Sequence, residues 1–538
     1  MVNLIPMPKN IKEFQGGYSI DRDAVALQFD KELECLAEIV PQILKITAVE
    51  PDKAVDISFI YDSKADKNAY SLSINESGIR VYVSDYEGAM YAVATIRQLY
   101  KTDIIDNKNL TASCVDIKND KPLYSWRGLH LDESRHFFGM DTVKKFIDFM
   151  SLYKLNRFHW HLTDDQGWRI EIKKYPLLTE IGSKRKGTQL HSWSSMKYEK
   201  KPYGGYYTQA QIKEIIAYAK ARCIEIIPEI DFPAHSAAAI AAYNDLACRE
   251  IPCEVFDFCG GDLAKKLGYK NWNRPLCLGK DKVIDFVFDV IDEVADLFPF
   301  EYFHVGGDEA PTDEWKKCPT CQGRMKKENI ATETDLQGWF TNKLNAHLKS
   351  KGKIMVGWNE VLAGNVDRDI VAQYWTPRFD KNVISHMEKG GKVILSNHKY
   401  FYFDMLYSYC TPKGTYNFTY KDSKVPAELK DSIMGLEGEN WTEWTRNEKA
   451  LFFKIYQRGL ALAETAWSDE SAKNFSGFVK RMNKHKKIMD ALGIYYGSDE
   501  LTMQKAKFKK MRLSKKNGFS HKDFDSEYRL SKLYRKQK

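Results

Sequence analysis

Two adjacent carboxylates, Asp308 and Glu309, are the sharpest chemical signal in the 538-residue sequence. Neighbouring residues at the end of a strand point in different directions, so one carboxyl group can face a leaving group while the other lies beside it. Two carboxyl groups at close range also raise the pKa of one of them, as a general acid near neutral pH requires. The alternative is a pair of helix-capping residues that follow Gly306-Gly307 and take no part in chemistry.

Acidic residues also follow apolar segments elsewhere in the chain. Six segments run into them: Asp132-Glu-Ser-Arg135, Asp164-Asp165, Glu229-Ile-Asp231, Asp308-Glu309, Asn359-Glu360 and Glu437 to Glu443. Three of the six have Trp close by. A packed core does not hold so many charges at equivalent positions. Carboxylates accept hydrogen bonds from hydroxyl groups and Trp stacks on the apolar face of a pyranose, so the pattern favours a sugar pocket.

Histidines offer a competing interpretation. His159-Trp-His161 places two imidazoles on one face of a strand, and His235 and His304 are possible partners. Such a set can bind zinc in a barrel hydrolase. The simpler possibility is that inward-facing imidazoles hydrogen-bond the carboxylates above them. The spacing alone leaves both open.

Strands and helices alternate from about residue 120 onward. Eight segments have strand character: 128–131, 157–161, 223–228, 302–305, 354–357, 370–374, 393–396 and 433–436. Helical stripes of apolar residues lie at 143–150, 209–220, 281–297, 333–350 and 448–463. We therefore predict an α/β fold, a (β/α)8 TIM barrel over 121–495, with the acidic residues at its carboxyl end. The alternative, a doubly wound open sheet, lacks a glycine-rich dinucleotide loop after its first strand.

The residues before the barrel have a different pattern. Segments 71–75 and 79–83 alternate apolar and polar residues, and 87–100 has a helical apolar stripe. They predict a small α+β domain over residues 1–120.

The net charge of +8 comes from one end of the chain. Residues 501–538 hold 13 Lys and Arg against three Asp and Glu, while the rest of the chain is nearly neutral. A basic C-terminal extension over 496–538 is predicted. A solvated end is favoured over a site for anionic lipid or nucleic acid, so no nucleic-acid partner is expected.

Ten cysteines are too few for a disulfide-stapled fold. Cys318-Pro-Thr-Cys321 has the spacing of a zinc or redox pair, but a zinc site needs a second pair, and Cys248, Cys253, Cys259 and Cys277 are loosely spaced. We predict inert thiols or a local staple, with no metal and no cofactor.

Several stretches together resemble glycoside hydrolase family 20, the β-N-acetylhexosaminidases. They are, in order, RGLHLDESRHF, NRFHWHLTDDQGWRIEI, PEIDFPAH, FHVGGDEAP, GWNE, ENWTEW and ALAETAWS. The resemblance covers residues 120–470, and the small domain usual before the family's barrel resembles the first 120 residues.

The resemblance implies an exo-acting retaining glycosidase that removes terminal β-linked N-acetylhexosamine. The substrate's own 2-acetamido group is then the nucleophile, and the intermediate is an oxazolinium ion. Glu309 would be the general acid and base, Asp308 would hold the acetamido N–H, and Tyr402 would donate to the acetamido oxygen.

The resemblance also implies roles for the residues around this trio. Trp339, Trp358 and Trp441 would wall the acetamido pocket. Arg135 would hold the 3- and 4-hydroxyls, and Asp404 and Glu443 the 4- and 6-hydroxyls. Asp164 and His235 would support Glu309 from behind, which makes the histidines supports rather than zinc ligands.

Two other functions stay open at this stage. One is a non-catalytic N-acetylhexosamine-binding protein on a degenerate barrel, and the other is a zinc amidohydrolase that uses His159, His161 and His235. The expected partner is a carbohydrate with a terminal β-linked N-acetylhexosamine. The sequence decides neither GlcNAc against GalNAc nor the oligomeric state.

The opening stretch, MVNLIPMPKNIKEF, has no signal-peptide core, and no apolar run is long enough to span a membrane. Glycan substrates lie outside the cell, so we expect an exported protein whose signal is absent from this chain; a cytoplasmic protein is the alternative.

Overall fold

The structure is a computed structural model that describes residues 2–50, 54–100, 108–190, 196–257 and 274–497. Nearly all of the predicted basic extension lies outside the described residues. No helix in the described ranges is both long enough and apolar enough to cross a bilayer.

The secondary structure alternates strands and helices along most of the chain. The strands are β1 (Ile11–Asp21), β2 (Val25–Phe29), β3 (Ala48–Val49), β4 (Ile57–Tyr61), β5 (Tyr70–Asn75), β6 (Gly78–Val83), β7 (Asn109–Asp120), β8 (Trp126–Asp132), β9 (Arg157–Asp164), β10 (Gly167–Trp168), β11 (Lys184–Arg185), β12 (Thr188–Gln189), β13 (Tyr198–Glu199), β14 (Tyr203–Gly204), β15 (Glu225–Ile230), β16 (Tyr302–His304), β17 (Ile354–Trp358), β18 (Val371–Tyr374), β19 (Lys392–Leu395) and β20 (Ile433–Gly438).

The α-helices are α1 (Ile39–Leu44), α2 (Tyr86–Leu99), α3 (Met140–Leu152), α4 (Leu177–Glu180), α5 (Gln209–Lys220), α6 (Ala237–Ala242), α7 (Asp281–Leu297), α8 (Asp313–Lys317), α9 (Pro319–Lys327), α10 (Glu333–Ser350), α11 (Asp380–Glu388), α12 (His398–Phe401), α13 (Pro412–Asn417), α14 (Glu448–Trp467), α15 (Phe475–Lys484) and α16 (Lys486–Leu492).

The N-terminal unit is a seven-stranded mixed sheet in the order β1-β7-β5-β6-β4-β2-β3. The two alternating segments predicted as strands are β5 and β6, which pair antiparallel, and the predicted helix is α2. Asp85 caps α2 by accepting a hydrogen bond from the Gly88 amide. The predicted α+β character is confirmed.

Eight parallel strands close into a barrel in the order β8-β9-β15-β16-β17-β18-β19-β20, and β20 pairs back with β8. All eight correspond to predicted segments, and the predicted helical stripes are α3, α5, α7, α10 and α14. The stripe on α3 shows why: Val143, Phe146, Ile147 and Met150 are fully buried between helix and strands. The predicted (β/α)8 barrel is confirmed.

The inside of the barrel changes from apolar to polar along the strands. Near the amino ends, five residues form a separate apolar cluster, here the amino-end plug: Trp126, Ile227, Val356, Val371 and Ile394. Higher up, the inward positions carry buried His, Glu and Gln side chains. Trp126 joins the two layers, because its indole N–H donates to Glu437 Oε2 at 2.7 Å.

The last barrel helix also completes the core of the N-terminal unit. Trp467, at the end of α14, packs in that core and meets the Tyr91 ring edge-on at 5.1 Å. The Arg127 guanidinium lies 5.3 Å from both rings, and its Nη2 donates to the Tyr91 hydroxyl at 2.7 Å. The Trp467 indole donates to the Asp120 carboxylate. The two units therefore share one buried interface.

Candidate active site

Asp308 and Glu309 follow β16 through a Gly306-Gly307 turn with positive φ angles of 66° and 94°. A Cβ on Gly306 would lie 1.8 Å from Asp231 Oδ1, and one on Gly307 would lie 2.4 Å from Val361 Cγ1. Only glycine fits this close approach. The Gln337 side chain donates to the Gly307 carbonyl at 2.7 Å and helps to hold the turn. The two carboxylates are thus carried at the carboxyl end of the barrel.

The two neighbouring carboxylates have different surroundings. The Asp308 side chain is 13% exposed, while that of Glu309 is 52% exposed. Burial raises the pKa of Asp308 to about 6, with the charge of Glu309 adding to the rise and His235 opposing it. Glu309 itself has a left-handed backbone with φ of 49°, a strained conformation for a residue other than glycine. One acid is therefore held in the wall and the other is turned toward the opening.

His235 connects this pair to the acids behind it. Its Nε2 lies 3.7 Å from Asp308 Oδ2 and 3.9 Å from Glu309 Oε2, and its Nδ1 lies 3.4 Å from Asp164 Oδ1. Burial opposes protonation of the ring, but the charges of Asp164 and Asp308 outweigh it and raise the pKa of His235 well above its usual value. A cationic imidazole between carboxylates holds them close together despite their like charges.

Arg135 is buried beside Asp164 at the end of β8. Its guanidinium lies 2.6 Å from Asp164 Oδ2 and 3.3 Å from Asp132 Oδ2, and its Nε donates to Gln166 at 2.8 Å. The guanidinium carbon lies 5.1 Å from the centre of the Trp441 ring. The acids hold this cation in one orientation with a face on the aromatic wall.

Aromatic rings form one wall of the same space. Trp358 and Trp441 lie 5.6 Å apart, and Trp441 lies 6.4 Å from Tyr402. Trp375 stacks on Tyr402 at 5.7 Å with an interplanar angle of 20°. Burial raises the pKa of the Tyr402 hydroxyl well above its usual value, so it stays neutral. Tyr402 keeps its own O–H available as a donor.

Asp404 and Glu443 are a second pair of acids, and both are half-buried. Burial and the charge of Glu443 raise the pKa of Asp404 to about 7, and burial also raises the pKa of Glu443. Among the described residues, Asp404 Oδ1 has no hydrogen-bond partner. The loop that carries Asp404 is tied to the extension of β20, since Phe403 N donates to the Glu439 carbonyl at 2.8 Å. This pair has acceptor positions to offer to the hydroxyl groups of a ligand.

Known proteins match the chain along most of its described length. The model "Glycosyl hydrolase family 20, catalytic domain" matches residues 124–470, and "Glycosyl hydrolase family 20, domain 2" matches residues 1–118. The chain belongs to glycosyl hydrolase family 20. The resemblance seen in the sequence is thereby confirmed.

Relatives and solved structures agree with this family. A beta-hexosaminidase of Porphyromonas gingivalis is 33% identical over 526 residues, covering 92% of this chain and 64% of that protein. A beta-hexosaminidase of Akkermansia muciniphila is 30% identical, covering 86% of this chain and 93% of that protein. The structure of a family 20 exo beta-N-acetylglucosaminidase from Vibrio harveyi in complex with N-acetylglucosamine has a TM-score of 0.80 at 29% identity, over 92% of this chain and 78% of that one.

The structure brings together ten of the eleven side chains that the sequence analysis assigned to the site of this family 20 chain. The exception is Trp339, which lies on helix α10. Its ring faces the Arg324 guanidinium at 5.2 Å and the Lys343 ammonium at 5.8 Å. No ring contact within the described ranges joins Trp339 to Trp358, Tyr402 or Trp441, so the place of Trp339 in the wall stays a prediction.

Two residues of the site, Trp375 and Glu360, were given no role there from the sequence. Trp375 belongs to the aromatic wall, because it stacks on Tyr402. Its indole N–H donates to Glu360 Oε2 at 2.9 Å, and burial together with the charge of Asp308 raises the pKa of Glu360 to about 8. The sequence signal for Trp375 is its position directly after β18, but this strand end carries no carboxylate and so lacks the mark of the other site strands.

The histidines of the predicted zinc alternative bind carboxylates. His159 Nδ1 lies 2.7 Å from Glu437 and its Nε2 lies 3.0 Å from Glu229, while His161 lies 2.5 Å from Glu229 and 3.1 Å from Asp164. Burial opposes protonation of His159, but the two glutamates outweigh it and raise its pKa to about 10. His304 Nδ1 also lies 3.1 Å from Glu229. The arrangement supports the simpler interpretation, in which these rings form a hydrogen-bonded layer under the site.

Proposed function

We propose that this chain is an exo-acting, retaining β-N-acetylhexosaminidase that uses the 2-acetamido group of its substrate as the nucleophile. The observation that carries the proposal is the pairing of a buried Asp308 with an exposed Glu309 on one histidine, beside a tyrosine hydroxyl in an aromatic wall. Asp308, Glu309 and Tyr402 each contact a different atom of the substrate in this chemistry. Membership of family 20, an exception to the usual two-carboxylate mechanism, supports it.

Glu309 is the general acid and then the general base. Its exposed carboxyl group reaches the glycosidic oxygen of a bound sugar, gives that oxygen a proton as the bond breaks, and later takes a proton from the attacking water. The left-handed backbone at Glu309 turns its side chain away from the strand direction of Asp308. The two acids can therefore act on different atoms of one sugar ring.

Asp308 holds the amide that attacks. Its carboxylate accepts the acetamido N–H, which fixes the amide plane and stabilises the positive charge that spreads onto nitrogen as the carbonyl oxygen bonds to the anomeric carbon. Tyr402 donates its hydroxyl to the same oxygen. The rings of Trp358, Trp375 and Trp441 exclude water until the oxazolinium ring has closed.

The remaining acids and Arg135 bind the hydroxyl groups of a terminal sugar. Asp404 and Glu443 are acceptors for the 4- and 6-hydroxyls, and Arg135 is the donor for the 3- and 4-hydroxyls. A pocket closed by these groups accepts only a non-reducing end. The buried Arg135 and the half-buried Asp404 and Glu443, set together at one end of the pocket, support an exo-acting rather than a chain-splitting enzyme.

A set of aryl β-glycosides that differ only at C2 tests the proposal. The 2-acetamido sugar should be cleaved at least about 10³-fold faster than the 2-hydroxy sugar, since an intramolecular nucleophile has an effective concentration of about 10⁵–10⁸ M. The first product seen by NMR should be the β-anomer. Equal rates, or an ester between protein and sugar found by mass spectrometry, would show that a protein carboxylate is the nucleophile.

The same substrates separate this function from its main alternative. Saturable binding of N-acetylglucosamine with no turnover of any glycoside would assign a sugar-binding protein on an inactive barrel. A matched pair of aryl glycosides that differ at C4 then decides between gluco and galacto preference, which depends on Asp404, Glu443 and Arg135.

A further inference from the structure

Four cysteine sulfurs meet in the loops that follow β15 and β16. Cys277 Sγ lies 3.6 Å from Cys321 Sγ and 3.7 Å from Cys318 Sγ, and Cys248 Sγ lies 3.7 Å from Cys321 Sγ. All four sulfurs lie within 4.8 Å of one another. We call Cys248, Cys277, Cys318 and Cys321 the four-thiol cluster. The cysteine spacing predicts inert thiols here, and the structure instead supplies the second pair that a metal site needs.

The distances fit a tetrahedral metal ion better than any other arrangement of sulfur. Zinc binds thiolates at about 2.3 Å, so the corners of its tetrahedron are separated by about 3.8 Å. A disulfide requires a separation of about 2.0 Å, which none of the three pairs approaches. Three of the four cysteines are buried and the fourth is half-buried. We propose that the four-thiol cluster binds one Zn²⁺ through four thiolates.

The chain builds this cluster from two backbone pairings. Ala247 and Leu276 form an isolated antiparallel bridge, and each is followed directly by a ligand, Cys248 or Cys277. The Cys277 amide donates to the Leu246 carbonyl at 2.9 Å, which fixes the two loops against each other. Two of the ligands are therefore set side by side although 28 positions separate them in the sequence.

The other two ligands lie at the start of helix α9. Cys318 precedes Pro319, and Cys321 lies in the first turn, so Cys-Pro-Thr-Cys folds as a compact knuckle. Gly279 packs directly on this knuckle, because a Cβ there would lie 2.3 Å from the Thr320 carbonyl carbon.

The zinc would tie the two loops that carry the catalytic groups. The loop after β15 runs from His235 through α6 to Cys248, and the loop after β16 runs from Asp308 and Glu309 through α8 to Cys318. Trp315, on α8, reinforces the link by donating its indole N–H to the Leu276 carbonyl at 2.9 Å. Four protein ligands leave no open position, so the ion is structural and takes no part in bond breaking.

Elemental analysis of the purified full chain, without a histidine tag, tests the proposal independently of any activity. We expect one zinc per chain in the wild type and in Cys253→Ser, since Cys253 lies outside the cluster, and loss of that zinc in Cys277→Ser and Cys321→Ser. Cobalt substituted for zinc should show the intense visible bands of a tetrahedral thiolate site in the wild type and in Cys253→Ser.

A second measurement covers variants that fail to fold. Wild-type protein made in zinc-depleted medium is divided into samples with and without added zinc. Reactive thiols are counted in the folded protein before and after a chelator is added, and again after denaturation. Four thiols that react only after the chelator is added would support the site. A wild type without metal whose four cysteines form two disulfides would overturn it, and so would stoichiometric iron in place of zinc or full zinc occupancy in Cys277→Ser. Loss of glycosidase activity with zinc still bound would contradict only the proposed function.

Discussion

The two ends of the barrel interior hold side chains of opposite character, apolar at one end and charged at the other. At the amino end, the amino-end plug of Ile227, Val356, Val371, Ile394 and Trp126 is apolar and buried. At the carboxyl end the equivalent inward positions hold carboxylates, histidines and an arginine, several with displaced pKa values. Burial of the apolar side chains at the amino end gains free energy, whereas burial of the charged groups at the carboxyl end costs it.

The amino end of the barrel therefore contributes mainly to folding stability, and the carboxyl end mainly to chemistry. Burying charges at the carboxyl end costs free energy, and the hydrogen bonds among Glu229, His159 and His161 recover only part of that cost. The charged groups of this end therefore serve ligand binding and catalysis rather than stability. The amino-end plug supplies the stability that lets the other end be polar. Substitutions at the carboxyl end should therefore lower kcat, and substitutions at the amino end should lower the free energy of unfolding.

The largest effect is expected for Glu309→Gln. Removing the proton donor should lower kcat for an aryl β-N-acetylglucosaminide by about 10²–10⁴-fold with little change in the thermal midpoint. Glu301→Gln is the matched control, because Glu301 is exposed and precedes the same strand at the opposite end of the barrel. Equal losses in both variants would mean that the strand, and not the acid, is the cause.

Asp308→Asn should lower kcat by about 10²–10³-fold, since one preorganised electrostatic partner of the transition state is lost. The wild type should also lose activity as the pH falls through about 6, because protonation removes the Asp308 charge that the amide requires. The kcat–pH profile measures this directly. An acid limb that persists unchanged in Asp308→Asn would assign it to another group.

Two tryptophan variants test which ring belongs to the wall of the pocket at the carboxyl end. Trp375→Ala removes a ring stacked on Tyr402 and should lower kcat/KM by about 10–10²-fold, the effect of losing roughly 2 kcal/mol of buried aromatic contact. Trp339→Ala should have a much smaller effect, because that ring packs between Arg324 and Lys343. The reverse order would show that Trp339 contributes more to the sugar pocket than Trp375 does.

The smallest effect on catalysis is expected at the amino-end plug. Ile227→Ala should lower the free energy of unfolding by about 2–4 kcal/mol by leaving a cavity, while kcat of the folded enzyme stays within about twofold of the wild type. Thermal melting and kcat measured on one preparation test both parts. A large drop in kcat with an unchanged melting midpoint would contradict the separation of the two ends.

The sequence predicted most of the barrel because its signals are local. Each strand is a short apolar run, and Asp308-Glu309 or Glu437-Gly-Glu439 come directly after one. Trp375 and Trp339 show where this reasoning stops. Trp375 directly follows β18, whereas Trp339 lies on helix α10. Only the orientation of a helix against a strand end decides which ring faces the pocket.

The four-thiol cluster could not be predicted for a related reason. Cys318 and Cys321 are neighbours in the chain, but Cys248 and Cys277 reach them through a backbone bridge between distant loops. No periodicity marks such a bridge. The glycine that permits the close approach, Gly279, is recognisable only after the knuckle it packs on is seen.

The position of Trp467 limits how this protein can be divided. A recombinant fragment that began after β7 would present the indole, the Arg127 guanidinium and the apolar side of α14 to water, and it would have lost Tyr91 and Asp120 as their partners. Such a fragment should aggregate or be degraded by proteases. A gene fusion or domain swap that keeps this barrel must therefore also keep the N-terminal sheet that precedes it.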